Sequence, residues 1–122
     1  MEKVKSITDL LKLKEKLEKE DKKTFTFHSA RLESDIIYKK ATRSLILASS
    51  DLGRQDADLN LIYNCVIEPD LSDKKLQEAF NKGNPPYMIV EKLFSIMEIG
   101  ELSKLTVMDE VGKSNENFLK NS

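Results

Sequence analysis

The feature that most constrains this fold is a helical apolar stripe that ends at a proline. Four apolar residues recur at the i, i+3, i+4 and i+7 spacing of one helix face: Leu59, Ile62, Tyr63 and Val66. That spacing predicts a helix over residues 56–66 with one buried face. Pro69 cannot continue such a helix and favours an extended conformation at Glu68, so we expect the chain to turn a corner there.

A second helix is predicted directly after the corner. Ser72 is a favourable N-cap residue, and Leu71 and Leu76 stand where a hydrophobic staple would fix the angle of entry. Gly83 is expected to end this helix. The stretch IYNCVIEPDLSDKKLQEAF, residues 62–80, is therefore interpreted as a helix–corner–helix unit rather than as an active site around CVIEPD.

The N-terminal part of the chain is predicted to form one amphipathic helix over residues 6–21. Ser6 is its N-cap, and Leu10, Leu13 and Leu17 lie on an apolar face opposite a face rich in Lys and Glu. Such a face either docks on the rest of the protein or binds a partner. The sequence leaves both interpretations open.

Two strands are predicted between the N-terminal helix and the central helices. KTFTFH (23–28) and DIIYKKA (35–41) are rich in β-branched and aromatic residues, and SARLES (29–34) separates them. The simplest pairing is a β-hairpin. An isolated hairpin is only marginally stable in water, so we expect this one to lie on helices.

Three further helices are predicted from capping signals. Thr42 can N-cap one, Pro86 suits the first turn of another, and Ser95 with Glu98 forms a capping box that begins a closing helix. Gly112 is expected to end the closing helix. The residues of that helix expected to face inward are Ile99, Leu102 and either Leu105 or Thr106.

Together these elements predict an α+β fold that is mostly helical, with a small β-hairpin packed on about five helices. The predicted divisions are an amphipathic, charged N-terminal helix (1–22), a small α+β domain (23–112) and a flexible tail (113–122).

Composition narrows the class of function. The 122 residues include 20 basic and 21 acidic side chains, for a net charge of −1, whereas a dedicated nucleic-acid binder usually has a basic surplus. No apolar run approaches the roughly 20 residues of a membrane span, and the N-terminus does not resemble a secretory signal. A single cysteine excludes an internal disulfide. We expect an intracellular protein with no membrane partner.

Residues with catalytic potential are few and scattered. His28 and Cys65, each the only residue of its type, lack the partners that a triad, a zinc site or an activated thiol needs. Glu68 and Asp70 flank Pro69 and are interpreted as solvating the turn and supplying negative charge at the start of the next helix. We therefore expect no enzyme activity, no metal and no cofactor.

Four sequence blocks follow one another between residues 38 and 112. ADLNLIYNCVIEPDLSDKKLQEAF (57–80) matches the pattern YxCVxEPxLxDxxLQxAF, and the others are YKKATRSLIL (38–47), PPYMIVEKLF (85–94) and EIGELSKLTVMDEVG (98–112). In this order they resemble the XkdN-like tail assembly chaperones of phages and prophages of Gram-positive bacteria, over about residues 6–112. The chain departs from that family in lacking loop glycines at 29–34 and in carrying Met97 and Ile99 in place of more typical turn residues.

The resemblance implies a specific task. Such chaperones bind the long, largely helical tape measure protein in the infected cell and keep it soluble until tail tube protein polymerises around it. The resemblance therefore implies that the tape measure protein is the client. Tail tube protein and, through self-association, a second copy of the chain are further possible partners. The resemblance also implies work in the host bacterial cytoplasm, absence from the mature virion, and no cofactor.

The residues that contact the client are predicted from amphipathicity alone. Leu10, Leu13 and Leu17 of the N-terminal helix are the first candidates, and Phe94 and Ile99 near the closing helix are the second. Either set could equally belong to the core.

A small basic cluster supplies the alternative function. Lys39, Lys40 and Arg43 could contact phosphates, as in a small DNA-binding regulator of a phage. The near-zero net charge and the lack of interleaved aromatic residues count against nucleic acid as a partner.

Overall fold

In the computed structural model, residues 4–108 are described. That part of the chain is 59% helical and carries a small antiparallel sheet, so the predicted α+β, mostly helical fold class is confirmed. The elements in chain order are α1 (Ile7–Lys12), α2 (Lys14–Asp21), β1 (Thr24–Ser29), β2 (Ser34–Lys39), α3 (Arg43–Ser50), α4 (Arg54–Cys65), β3 (Val66–Glu68), α5 (Lys74–Asn81), a 3-10 helix (Pro86–Met88), α6 (Ile89–Leu93) and α7 (Ile96–Val107).

The sheet has three strands in the order β1-β2-β3, all antiparallel. Phe25 lies opposite Tyr38, and their rings stack with centroids 5.6 Å apart. The predicted hairpin is therefore present, but β3 was not predicted. The apolar stripe of α4 continues from Ile62 onto Val66, where the backbone becomes extended (φ −72°, ψ 125°), so periodicity alone did not separate helix from strand.

The core lies around α4, which packs against α3, α6, α7 and the 3-10 helix. Leu59, Ile62 and Val66 are buried as predicted, and Tyr63 is half-buried. The buried apolar cluster consists of Ile36, Tyr38, Leu59, Ile62, Val66, Leu71, Ile89, Val90, Leu93, Phe94 and Leu102. This cluster joins the sheet, the corner after β3 and the last two helices into one body.

Polar side chains of α4 also bind three neighbouring elements. The three bonds run from the Asn60 amide to the Ser49 hydroxyl (2.9 Å), from the Ser103 hydroxyl to the Asp58 carboxylate (2.8 Å) and from the Tyr87 hydroxyl to the Asp56 carboxylate (3.0 Å). Because side-chain hydrogen bonds are directional, they fix the positions of α3, α7 and the 3-10 helix around α4.

Three helix boundaries differ from the prediction. The N-terminal helix is divided at Leu13, whose N–H is shared between the carbonyls of Asp9 and Leu10 and so tightens the turn. Helix α5 is capped by Asp73, not Ser72, because the Asp73 carboxylate accepts the Leu76 N–H at 3.0 Å. Leu71 and Leu76 therefore stand at the N″ and N3 positions and not at the N′ and N4 positions of the expected hydrophobic staple.

The third difference concerns the helix expected to begin at Pro86. Pro86 does occupy a first-turn position, but of a 3-10 helix, and α6 follows it. The predicted end of the closing helix at Gly112 and the predicted tail lie outside the described residues. Within them, α7 ends at Val107.

The N-terminus of α7 is joined to the hairpin through a buried carboxylate. The predicted capping box is confirmed, with Glu98 accepting the Ser95 N–H at 3.0 Å. Glu98 also accepts the hydroxyl of the buried Ser29 at 2.9 Å. Burial opposes ionisation of this carboxyl, but the hydrogen bonds from Ser95, Ser29 and the Arg31 backbone outweigh it, so the pKa of Glu98 lies below its ordinary value of 4.5.

Replacing Glu98 should therefore destabilise the fold. Glu98→Ala leaves the Ser29 hydroxyl and the Ser95 N–H without their acceptor, and we expect the free energy of unfolding to fall by about 1–3 kcal/mol. Urea unfolding followed by circular dichroism measures this change.

The same bonds predict a pH dependence. Because the folded-state pKa of Glu98 is lowered, its stabilising contribution is present above pH 4.5 and is lost as the pH falls through the lower folded-state value. Glu98→Gln should flatten the loss of stability below pH 4.5, whereas Glu101→Gln, an exposed carboxylate on the same helix, should leave it unchanged. Equal acid sensitivity in wild type and Glu98→Gln would contradict this account.

Candidate partner-binding surface

The carboxylates around the corner serve the architecture. Asp70 accepts the N–H of Ser72 at 3.0 Å and its hydroxyl at 2.6 Å, and these bonds hold the pKa of Asp70 below its ordinary value. Glu68 is exposed at the end of β3. Gln77 donates to the carbonyls of Leu71 (2.8 Å) and Pro86 (3.1 Å), which links the corner to the turn after α5. The hydrogen bonds made by Asp70 and by the neighbouring Leu71 carbonyl thus stabilise the turn at the end of the CVIEPD stretch.

Cys65 is fully buried at the end of α4. Desolvation raises the pKa of its thiol to about 11, although the nearby positive charge of Lys39 acts in the opposite direction. A thiol with this pKa is protonated at neutral pH and is a poor nucleophile.

The remaining side chains with possible catalytic or binding roles each make a structural contact or lie apart from other reactive groups. His28 and Asp35 form a cross-strand pair at 2.9 Å on the solvent side of the sheet. Lys40 of the basic cluster donates to the carbonyls of Leu105 and Met108 at the end of α7, where a cation is favoured by the helix dipole. Within residues 4–108, no group of three or more His, Cys, Asp or Glu side chains could hold a metal ion.

Several large apolar side chains are exposed in the N-terminal helices. Helices α1 and α2 contain no buried residue. Four of their large apolar side chains are more than half exposed: Ile7 (76%), Leu10 (52%), Leu11 (67%) and Leu17 (51%). Leu13 between them is half-buried. An exposed group of large apolar side chains that is not buried by residues 4–108 is typical of an interaction surface.

The two predicted sets of partner-binding residues have different positions. Leu10 and Leu17 are exposed, with Leu13 beside them, so the first set lies on the surface. Phe94 is 1% exposed and belongs to the core, and Ile99 is half-buried against it. Phe94 offers no surface to a partner in this conformation, whereas Ile99 keeps part of its side chain accessible.

Sequence reasoning missed other exposed apolar residues. Ile96 and Met97 lie on the first turn of α7, and Ile46, Leu47 and Leu52 lie on or beside α3. These residues are next to core residues in the sequence. Helical periodicity shows which residues share a face, but it does not show which face packs on the core, so their exposure could not be predicted.

We name the surface formed by Ile7, Leu10, Leu11 and Leu17 the N-terminal apolar surface.

Comparison of the chain with protein-family models, curated proteins and solved structures finds no match. Among the described residues, none of the helices has the length and apolar character needed to cross a bilayer.

The buried thiol gives a direct test of the core. We expect Cys65 in the folded protein to react with a soluble thiol reagent at neutral pH much more slowly than a free cysteine does, because it is both inaccessible and protonated. In urea the reaction should reach the rate of a free thiol. Rapid reaction without urea would show that the end of α4 is open to solvent. Cys65→Ser is the blank for reagent consumption.

Proposed function

We propose that this chain is a phage tail assembly chaperone that binds the tape measure protein and keeps it soluble in the host cytoplasm until the tail tube assembles. The sequence blocks that resemble XkdN-like chaperones support this proposal. The observation that carries it in the structure is the N-terminal apolar surface, which lies on two helices with no buried residue.

The physical basis is the cost of leaving that surface in water. Burying a leucine side chain contributes about 1.5–3 kcal/mol, and no leucine of α1 or α2 is fully buried, so these helices obtain only part of this stabilisation within the described chain. Isolated helices of fewer than about 12–15 residues are marginal in water. A client that covers the apolar face therefore stabilises the helices and hides its own apolar residues.

The charges around the surface suit a helical client. Helix α2 has the sequence KEKLEKED, so Leu17 stands within alternating positive and negative side chains. Exposed charges of both signs keep the free chaperone soluble. An amphipathic helix of the client can lay its apolar face against Leu10 and Leu17, with its polar face in solvent.

Co-expression with the tape measure protein tests the proposal. Wild-type chain should raise the soluble fraction of that protein and co-purify with it. A variant with Leu10→Ser, Leu11→Ser and Leu17→Ser removes three apolar contacts, and we expect its dissociation constant to rise at least about 100-fold, since each tenfold change is about 1.4 kcal/mol.

A matched control removes three apolar residues elsewhere that are each more than half exposed. The control carries Leu47→Ser, Ile96→Ser and Met97→Ser, on α3 and α7, and should bind like wild type. If wild type neither co-purifies with the tape measure protein nor changes its solubility, the proposed function is wrong. If only the control loses binding, the client surface lies on the body of the protein.

A further inference from the structure

No strand among the described residues pairs with the outer edge of β1. Within residues 4–108, β1 pairs only with β2. Its six residues, TFTFHS, contain neither proline nor lysine, and their register with β2 runs from Thr24 to Ser29 without a bulge. Natural sheets usually protect an exposed edge with one of these features, because free N–H and C=O groups recruit another strand.

The opposite edge of the same sheet is protected. β3 has only three residues, its register with β2 shifts between Ile37 and Tyr38, and Pro69 follows it. Each of these features hinders the addition of a strand. The sheet therefore has one blunt edge and one edge that can be extended.

The side chains of β1 are complementary to a second copy of the same strand. In an antiparallel pairing centred on Thr26, Thr26 faces Thr26 of the second copy, Phe25 faces Phe27, and Thr24 faces His28. Phe25 and Phe27 are half-buried on the core side of the sheet, and Thr24, Thr26 and His28 are exposed on the other side. Aromatic pairs and Thr–Thr pairs are favourable across antiparallel strands, and no like charges are opposed.

Charge also favours the antiparallel arrangement. The open end of the hairpin carries Lys22, Lys23 and Lys39 beside Asp21, while the ammonium of Lys40 there donates to the carbonyls of Leu105 and Met108. The turn end carries Glu33 and Asp35, while the guanidinium of Arg31 there donates to the carbonyls of Lys92 (3.1 Å) and Phe94 (3.4 Å). Antiparallel pairing brings the lysine end of each copy beside the acidic turn of the other, whereas parallel pairing would set lysines against lysines.

We propose that two copies of this chain associate through β1 in an antiparallel pairing centred on Thr26, which forms a continuous six-stranded sheet. The interface is isologous, since the same strand serves both copies about a two-fold axis. The N-terminal apolar surface is not part of it. Dimerisation would therefore give one particle with two client surfaces, and the avidity that two linked sites provide.

A disulfide test resolves the register. In the proposed pairing the two Thr26 residues lie directly opposite each other, within the roughly 7 Å Cα separation that a disulfide tolerates. Thr26→Cys should therefore give a disulfide-linked dimer under mild oxidation. Thr24→Cys is the matched control: its two copies are four residues apart along the strand, about 13 Å, and should not link. Cys65 is buried and common to both variants.

Sedimentation of uncross-linked protein tests the affinity. Wild type should pass from monomer to dimer as its concentration rises. Thr26→Lys places two like charges across the two-fold axis and should raise the dimer dissociation constant at least tenfold. Ser44→Lys, an exposed position on α3, adds the same charge elsewhere and should leave it unchanged.

Three results would overturn the proposal. They are a wild-type monomer at every soluble concentration, a dimer that Thr26→Lys does not weaken, and equal cross-linking of Thr26→Cys and Thr24→Cys. Client binding is measured separately: the serine variant of the N-terminal apolar surface should still cross-link through Thr26→Cys. Failure of the β1 dimer therefore leaves the chaperone proposal standing, and the reverse also holds.

Discussion

The fold depends on α4, which packs against α3, α6, α7 and the 3-10 helix and continues directly into β3 without an intervening loop. Its apolar face supplies Leu59 and Ile62 to the core, and its polar side chains bind α3, α7 and the 3-10 helix. Val66 then carries the same buried stripe into the sheet beside Tyr38. Because one segment joins helices and sheet, a change at the end of α4 should be transmitted to both, whereas changes in α1 and α2 should not reach the core.

This division separates a scaffold from an exposed apolar surface. A small body has a continuous core, while the two N-terminal helices contain no buried residue and leave Leu10, Leu11 and Leu17 more than half exposed. If the proposed chaperone function holds, this arrangement would let the surface engage and release a partner without opening the core. The hydrogen bonds of Glu98 to Ser29 and of Lys40 to the end of α7 hold the body together without any contribution from α1 and α2.

Most of the architecture could be predicted because the signals are local. Capping residues such as Thr42 and Ser95 and the stripe on α4 each act within a few positions, and the structure confirms them. Long-range choices could not be predicted: β3 depends on β2 as its partner, and the burial of Phe94 depends on which face of the last helices meets α4. The same limit applies to the candidate surface. Amphipathicity selected Leu10 and Leu17, which are exposed, as well as Phe94, which is buried, because it does not distinguish a core face from an exposed one.

Hydrogen exchange of the backbone amides, with and without the tape measure protein, tests most directly the claim that the scaffold and the client surface are separate. In the free chain, amides of α4 and β2 should exchange slowly and those of α1 and α2 rapidly, since protection follows burial and local stability. Adding the client should slow exchange across residues 7–21 and leave α4 unchanged. Slowed exchange confined to α3–α7, with none in residues 7–21, would contradict the assignment of the N-terminal apolar surface as the binding site.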